Sequence, residues 1–344
     1  MNKGSKDGGR INWIDGGKFL AILAVLIDHT KGVLYSNAKV AMGARYSVIL
    51  FILLSGITVF QSDIRYETEK YGESIIRGTK RIVIEYLVAT FIYQICITRF
   101  FDFFSYWNFV TRFNISQPLY FVLLYIQLML VNKLLYNALT KLPGGVYKDI
   151  LLLCIIVFIS YLTTNYTNVL DVYGGGGKLF GGTYLIVFFL GMLIEKYGLL
   201  HYSKRKNSLC ICLVAGISAI AWWAFACNNW YALDAKLPFG EGINPPSITE
   251  GVYGIIMLVF SFGLFSFLDE CNKYVKLFTK IPYYIGRSTM YVFLYHRLFL
   301  DVFLEPHVTC TNIWIKRLLY LSIMIGGPIL IMLCIRCIKR ITKS

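Results

Sequence analysis

The sequence predicts an all-α polytopic membrane helix bundle of about ten transmembrane helices, with both termini cytoplasmic. Three observations predict it. Of 344 residues, 57% are hydrophobic and only 15% charged, and the mean hydropathy is +0.60, a balance suited to lipid as solvent. The apolar residues gather into runs of about twenty, the length that crosses a hydrocarbon core, with short polar connections between them. Lys and Arg sit mainly in every second connection. When loops and neighbouring helix ends are assigned alternately to two sides, 23 cations fall on the inside and 9 on the outside, the bias expected of an even number of spans with cytoplasmic ends.

The expected spans are 18–35, 45–61, 82–98, 118–136, 149–166, 182–198, 208–227, 252–268, 287–304 and 316–335. The first begins in KFLAILAVLIDH and carries Lys18 and His29 inside an otherwise apolar run. The second contains LLSG at 53–56, and the third is entered through the basic cluster RGTKRIVIEYL at 77–87. The next five are plain apolar runs. The ninth includes GRSTMYVFLYHRLFL, and the tenth ends in a basic tail. Repeated spans with short connections leave no room for a separate extramembrane domain. The chain reads as one membrane domain over 1–344, with cytoplasmic tails at 1–17 and 336–344. No cleavable-signal pattern precedes the first span, so that helix is expected to stay as an anchor.

The net charge of +15 does not point to nucleic acid, because the cations lie in loops facing lipid headgroups and form no long basic face. The nine cysteines fall mostly in apolar stretches without a second ligand pair at zinc spacing, so they read as small packing residues and no metal site is expected. Cys227 and Cys310 fall near outer membrane ends, close enough in depth to pair if that side is oxidising. The outer connections differ from the inner ones. Residues 99–117 are aromatic and suit the membrane interface, whereas 167–181 and 228–251 are rich in glycine or aromatic residues and form either a lid or plain connectors.

Ionisable residues within apolar spans are costly and usually face a bundle interior or a transport path. Lys18 and His29 are eleven positions apart, which returns them to within roughly 20° on one helix face, about 16 Å apart along the axis. An imidazole suits general acid–base work near neutral pH. Asp28 points about 100° away from His29 and is better placed to pair with Lys31. His296 lies about as far into the ninth span as His29 lies into the first, so the two histidines are expected at similar, mid-membrane depth. Arg297 and Asp301 are spaced to satisfy each other. Arg77, Lys80 and Arg81 form a cytoplasmic cation cluster fit for anionic lipid or the phosphates of a cosubstrate, and Glu85 is spaced to neutralise Arg81.

Taken together, these residues resemble the acyltransferase-3 family of bacterial membrane O-acyltransferases. Its basic residue, ten residues and histidine match Lys18 and His29, with Asp15 before them, and its LSG matches 54–56. RIVIEY at 81–86 is similar to the Arg-Ile-x-Pro-x-Tyr pattern, with Ile84 in place of proline. Gly78 occupies the first arginine of an Arg-x-x-Arg signature, beside Arg77. GRSTMYVFLYH resembles a late Gly-Lys-x-Ser-Tyr-x-x-Tyr-Leu-x-His motif, with Thr289 and Phe293 replacing serine and tyrosine. The resemblance covers nearly the whole chain.

The resemblance implies transfer of an acyl group, commonly acetyl, from a cytoplasmic coenzyme A thioester to a hydroxyl of a cell-envelope glycan or related acceptor. Acetyl-CoA is then a cosubstrate, with no permanently bound cofactor. In that scheme His29 is general base or transient acyl carrier, and Lys18 positions the donor or meets charge on the thioester oxygen. Arg77, Lys80 and Arg81 hold donor phosphates, and His296 supports the site from the ninth span. Relatives often carry a fused soluble transferase domain. This chain shows none, so the membrane domain acts alone or with a separate extracytoplasmic partner. The competing readings are a transporter or flippase of a lipid-linked glycan or small solute, using the same polar path without chemistry, and an inactive sensor or assembly partner.

Overall fold

The computed structural model describes residues 11–167, 178–201, 204–234, 248–271, 273–308 and 310–341. These residues are overwhelmingly helical, with no strand among them. In chain order the helices are α1 (Asn12–His29), α2 (Ala38–Ala44), α3 (Ser47–Arg65), α4 (Tyr71–Thr98), α5 (Phe103–Arg112), α6 (Tyr120–Lys141) and α7 (Gly145–Tyr166). They continue with α8 (Tyr184–Lys196), α9 (Arg205–Asp234), α10 (Ile248–Glu270), α11 (Lys273–Arg287) and α12 (Thr289–Leu298). A π-helical stretch, Phe299–Leu304, leads into α13 (Glu305–His307), and α14 (Ile313–Ile341) ends the described chain.

Among the described residues seven helical runs are long and apolar enough to cross a membrane: α2 with α3, α4, α6, α7, α9, α10 and α14. The three other expected spans coincide with helices of a different kind. α1 carries Asp15, Lys18 and Asp28 in its 18 residues, α8 has only 13, and α12 has 10 before its ladder loosens into the π-helical stretch. The bundle is therefore an all-α polytopic membrane fold in which Trp13–Gly17 and much of Ala21–Leu26 of α1 are buried, as are nearly all residues of α12.

The boundaries differ from the sequence reading in particular places. α1 starts at Asn12, so residues 12–17 of the expected 1–17 tail are helix, with Trp13–Gly17 buried. α14 runs on to Ile341, through most of the expected 336–344 tail. α4 begins at Tyr71 because its first two turns, although polar, close onto α3. α11 was expected to be an inner connection; its alternating Lys and apolar residues belong to an amphipathic helix that tolerates Pro282. The glycine run at 174–177 and most of the 228–251 connection lie outside the described residues. Cys227 and Cys310 are both free thiols.

Two corners brace α5. Asp102 caps its start by accepting the Ser105 N–H at 2.8 Å, and the Ser105 side-chain and backbone bonds hold the Asp102 carboxyl below the usual carboxylate range. On either side stand Arg99 (φ 66°) and Phe113 (φ 53°), two of the three non-glycine residues with left-handed backbone among those described. Each such residue costs about 1–2 kcal/mol. At Phe113 the ring stacks on Tyr86, centroids 4.9 Å apart, and the Tyr86 hydroxyl donates to the Val110 carbonyl at 3.0 Å, so packing offsets that cost.

Charges in the interior are paired. Asp15, Asp63, Glu85 and Asp149 are each at most 3% exposed, and a carboxylate in that setting requires donors. Asp15 takes the Arg287 Nε–H at 3.0 Å. Asp63 takes Arg77 at 2.9 Å and the Asn132 amide at 2.8 Å. Glu85 takes the Tyr291 hydroxyl at 2.6 Å, and Asp149 takes Tyr197 at 2.6 Å together with Lys196.

Small residues set the close crossings. A Cβ on Gly56 would stand 2.2 Å from the Phe188 carbonyl, and one on Gly191 would stand 2.3 Å from the Leu53 carbonyl, so α3 and α8 touch backbone to backbone. That contact explains the glycine of the LLSG segment. Gly56→Ala should lower stability by about 1–3 kcal/mol, whereas Gly72→Ala, whose added Cβ would meet no atom within 4 Å, should leave it unchanged or slightly raised. Thermal melting of the detergent-purified variants, followed by fluorescence-detected gel filtration, checks this; equal midpoints would contradict the crossing.

Candidate active site

His29 is the last residue of α1. The sequence reading placed it mid-span, but because the helix begins at Asn12 the histidine comes at its C-terminal end. The chain folds back over that end. The Thr30 hydroxyl donates to the Leu26 and Ile27 carbonyls at 3.0 Å each, and Gly32, at φ 87°, turns the backbone so that its N–H reaches the Tyr35 carbonyl at 2.8 Å. Tyr35 in turn donates its hydroxyl to the Ile27 carbonyl. These bonds satisfy carbonyls that a helix end leaves open and fix where the imidazole stands. Asp28 faces two cations, Arg45 as well as the expected Lys31.

His296 of α12 is completely buried. Its ring centroid lies 5.0 Å from that of His29, with the planes inclined at 49°. The Nδ1 atom of His296 is 2.8 Å from the Phe293 carbonyl and 3.1 Å from the Val292 carbonyl. Both neighbours only accept, so Nδ1 carries the proton and Nε2 keeps its lone pair in the neutral ring. That Nε2 is buried without a hydrogen-bond partner. Below the pair, Phe293 packs between Phe121 at 4.9 Å and Phe51 at 6.3 Å. The phenylalanine at this position therefore completes an aromatic floor with rings from α3 and α6.

Arg297 pairs with Asp301 at 3.0 Å, as the i, i+4 spacing predicted. Immediately beyond, the helix widens into the π-helical stretch, a device that recurs near functional sites. Tyr93 stabilises the transition: its hydroxyl oxygen accepts the Leu298 N–H at 2.9 Å.

The other sequence candidates lie elsewhere. Lys18 is half-buried on α1, about 16 Å along the axis from His29 by helix rise. Arg77 does not stand open to a ligand: its guanidinium bridges Asp63 at 2.9 Å and Glu69 at 2.8 Å, and lies over the Tyr66 ring at 4.8 Å. Lys80 and Arg81 are exposed. Glu85, expected to neutralise Arg81, takes the Tyr291 hydroxyl instead, with Arg81 close enough to act on that same tyrosine. Gly78 faces Met129 of α6, whose sulfur would stand 3.0 Å from an added Cβ, and Ile84 points outward from an unbroken α4, 42% exposed.

Sequence reasoning passed over Asp15 as a tie to Arg287, and also Asp63, Asn132, Tyr93 and Tyr291. Tyr291 lies within the GRSTMYVFLYH motif and was within reach; Asp63, Asn132 and Tyr93 carry no local signal, because their partners are 69 or more residues away or on another helix.

Removing Arg77 would leave Asp63 buried without its cation, a loss worth about 3–5 kcal/mol. Arg77→Ala should therefore melt well below wild type, and adding Asp63→Asn should recover part of the loss. If Arg77→Ala keeps the wild-type midpoint and only weakens donor binding, the residue belongs to the donor site instead. Melting and donor titration on the same preparations separate the two.

A family model described as an acyltransferase domain matches residues 11–336, spanning α1 through nearly all of α14. No curated protein and no solved structure matches the chain. With the family model covering almost the full length, and the basic residue, histidine and late histidine motif meeting in one bundle, this multi-pass membrane protein belongs to the acyltransferase-3 family.

Proposed function

We propose that this membrane acyltransferase moves a short acyl group, acetyl foremost, from acyl-CoA to a hydroxyl of a cell-envelope polysaccharide or related glycan. The observation that carries the reading is the His29–His296 pair, two imidazoles 5.0 Å apart at the junction of α1 and α12. One of them, His296, has its tautomer fixed by carbonyls and a free buried lone pair. An imidazole held beside a second, oriented acceptor is suited to take a proton from an alcohol.

In the simplest course, His29 removes the acceptor hydroxyl proton as the oxygen attacks the thioester carbonyl carbon. The C–S bond then breaks, and the proton goes to the departing coenzyme A thiolate. His296 offers its free Nε2 lone pair beside the His29 ring. Lys18, about 16 Å along α1 from His29, positions the donor. Lys80 and Arg81, exposed near the start of α4, meet the donor phosphates, while Arg77 secures that end of α4 against α3. The charge bias of the connections supports a bacterial cytoplasmic membrane location with the donor arriving from the cytoplasm. The acceptor then reaches the His29 end from outside, with or without a separate extracytoplasmic partner.

Purified full-length protein in lipid nanodiscs should transfer label from acetyl-CoA to isolated envelope glycan. His29→Ala should lower the rate by about 10²–10⁴-fold, the usual worth of a positioned acid–base group, and Lys18→Ala should raise the donor KM. Undiminished transfer by His29→Ala would overturn the mechanism, and solute movement across vesicles with no thioester consumed would replace the whole reading by transport.

A further inference from the structure

A cavity of about 650 Å³ opens between the end of α4, the segment after α5, and the α12–π-helical junction. Its size lies within the range of small-ligand sites. Arg297, the residue after His296, forms part of its wall together with its partner Asp301, so the cavity is built in part by the helix that carries the buried histidine. Nothing assigned to the chain so far uses the rest of it.

Its wall is polar in a specific way. Arg99 and Asn114 enter from the two left-handed corners that bracket α5, one being the corner residue and the other following it. Arg99 ends α4 at φ 66°, with its N–H on the Ile95 carbonyl at 3.0 Å. Glycine would end the helix there without strain. Unlike Phe113, Arg99 has, among the described residues, neither a ring stack to offset its conformation nor an ion pair on its guanidinium. Asn114 adds a second unmet group: its Oδ1 is buried and has no hydrogen-bond partner. Gln117 contributes another amide to the same wall. A cation without a counterion, beside amides and the Arg297–Asp301 pair, is a set of groups that recognises a negative charge next to hydroxyls.

We propose that this cavity is the acceptor site, and that the acceptor is an anionic sugar, one whose phosphate or carboxylate is met by Arg99 while its hydroxyls meet the Asn114 and Gln117 amides. The proposal rests on the acyltransferase reading and narrows it. Binding of the charged group at Arg99 would leave a neighbouring hydroxyl directed toward Arg297.

The test needs no donor, so a failure of acyl transfer does not enter it. Full-length protein in nanodiscs is titrated with glucuronate, glucose 6-phosphate and glucose by ligand-observed NMR, in wild type, Arg99→Ala and Arg99→Lys. Either or both anionic sugars should bind about tenfold or more tightly than glucose; which one does so tells carboxylate from phosphate. Arg99→Ala should lose that preference and Arg99→Lys should keep much of it, with both variants melting as wild type because the side chain is exposed. Equal binding of the charged and neutral sugars, no saturable binding of either anion, or full preference in Arg99→Ala would each overturn the proposal.

Discussion

The site depends on one backbone contact, the approach of α11 to α1 at Gly286. An added Cβ there would stand 1.9 Å from the Asp15 carbonyl, so only glycine lets the two backbones meet. The next residue, Arg287, then reaches the buried Asp15 carboxylate at 3.0 Å. α12 begins two residues later and meets α1 again where His296 faces His29. Two contacts, one at each end, fix both the spacing and the rotation of the helices, and rotation decides whether two imidazoles meet or pass. In a low-dielectric interior the lower contact also supplies a donor that a buried carboxylate such as Asp15 requires.

The same rule governs the rest of the bundle. Helices in lipid gain little from hydrophobic association, so specificity comes from close small-residue crossings and from buried polar pairs. Gly56 against Gly191 joins α3 to α8, Asp63 joins α3 to both α4 and α6, and Tyr291 on Glu85 joins α12 to α4. The last of these ties holds α12, the helix of His296, to α4. α1 and α12, which carry the two histidines, are largely buried among the other helices, the setting in which ionisable residues inside a membrane are usually found.

That relation also explains what the sequence revealed and what it concealed. Every one of the ten apolar segments is helical, because runs of that length and composition have few alternatives. The pairing of His29 with His296 was approachable because both stood out as intramembrane histidines. The starting point of α1 was not: Asn12–Gly17 is polar and glycine-rich, and it is helical only because Gly16 lies against Phe265 and Asp15 finds Arg287. Likewise Arg77 looked like one of three equivalent cations, whereas Asp63, on a different helix, sets it apart from Lys80 and Arg81. Tertiary partners distant in the chain leave no periodic trace, so local spacing predicted Arg81 as the partner of Glu85 and could not show Tyr291.

The π-helical stretch follows His296 and supplies Asp301 and Val302 to the wall of the cavity. In a regular α-helix the backbone around Leu298 would bond along the ladder and turn the following side chains by a fixed 100° each. Here the ladder widens over Phe299–Leu304, and the Leu298 N–H is given to Tyr93 of α4. Widening alters the direction in which Asp301 and Val302 project, and both line the cavity wall. Tyr93 lines it too, so the residue that stabilises the irregular backbone is also part of the surface that this irregularity shapes. A substitution at Tyr93 would thus disturb helix and cavity together, and the two cannot vary independently. The irregular geometry ties the position of the buried histidine to the form of the cavity.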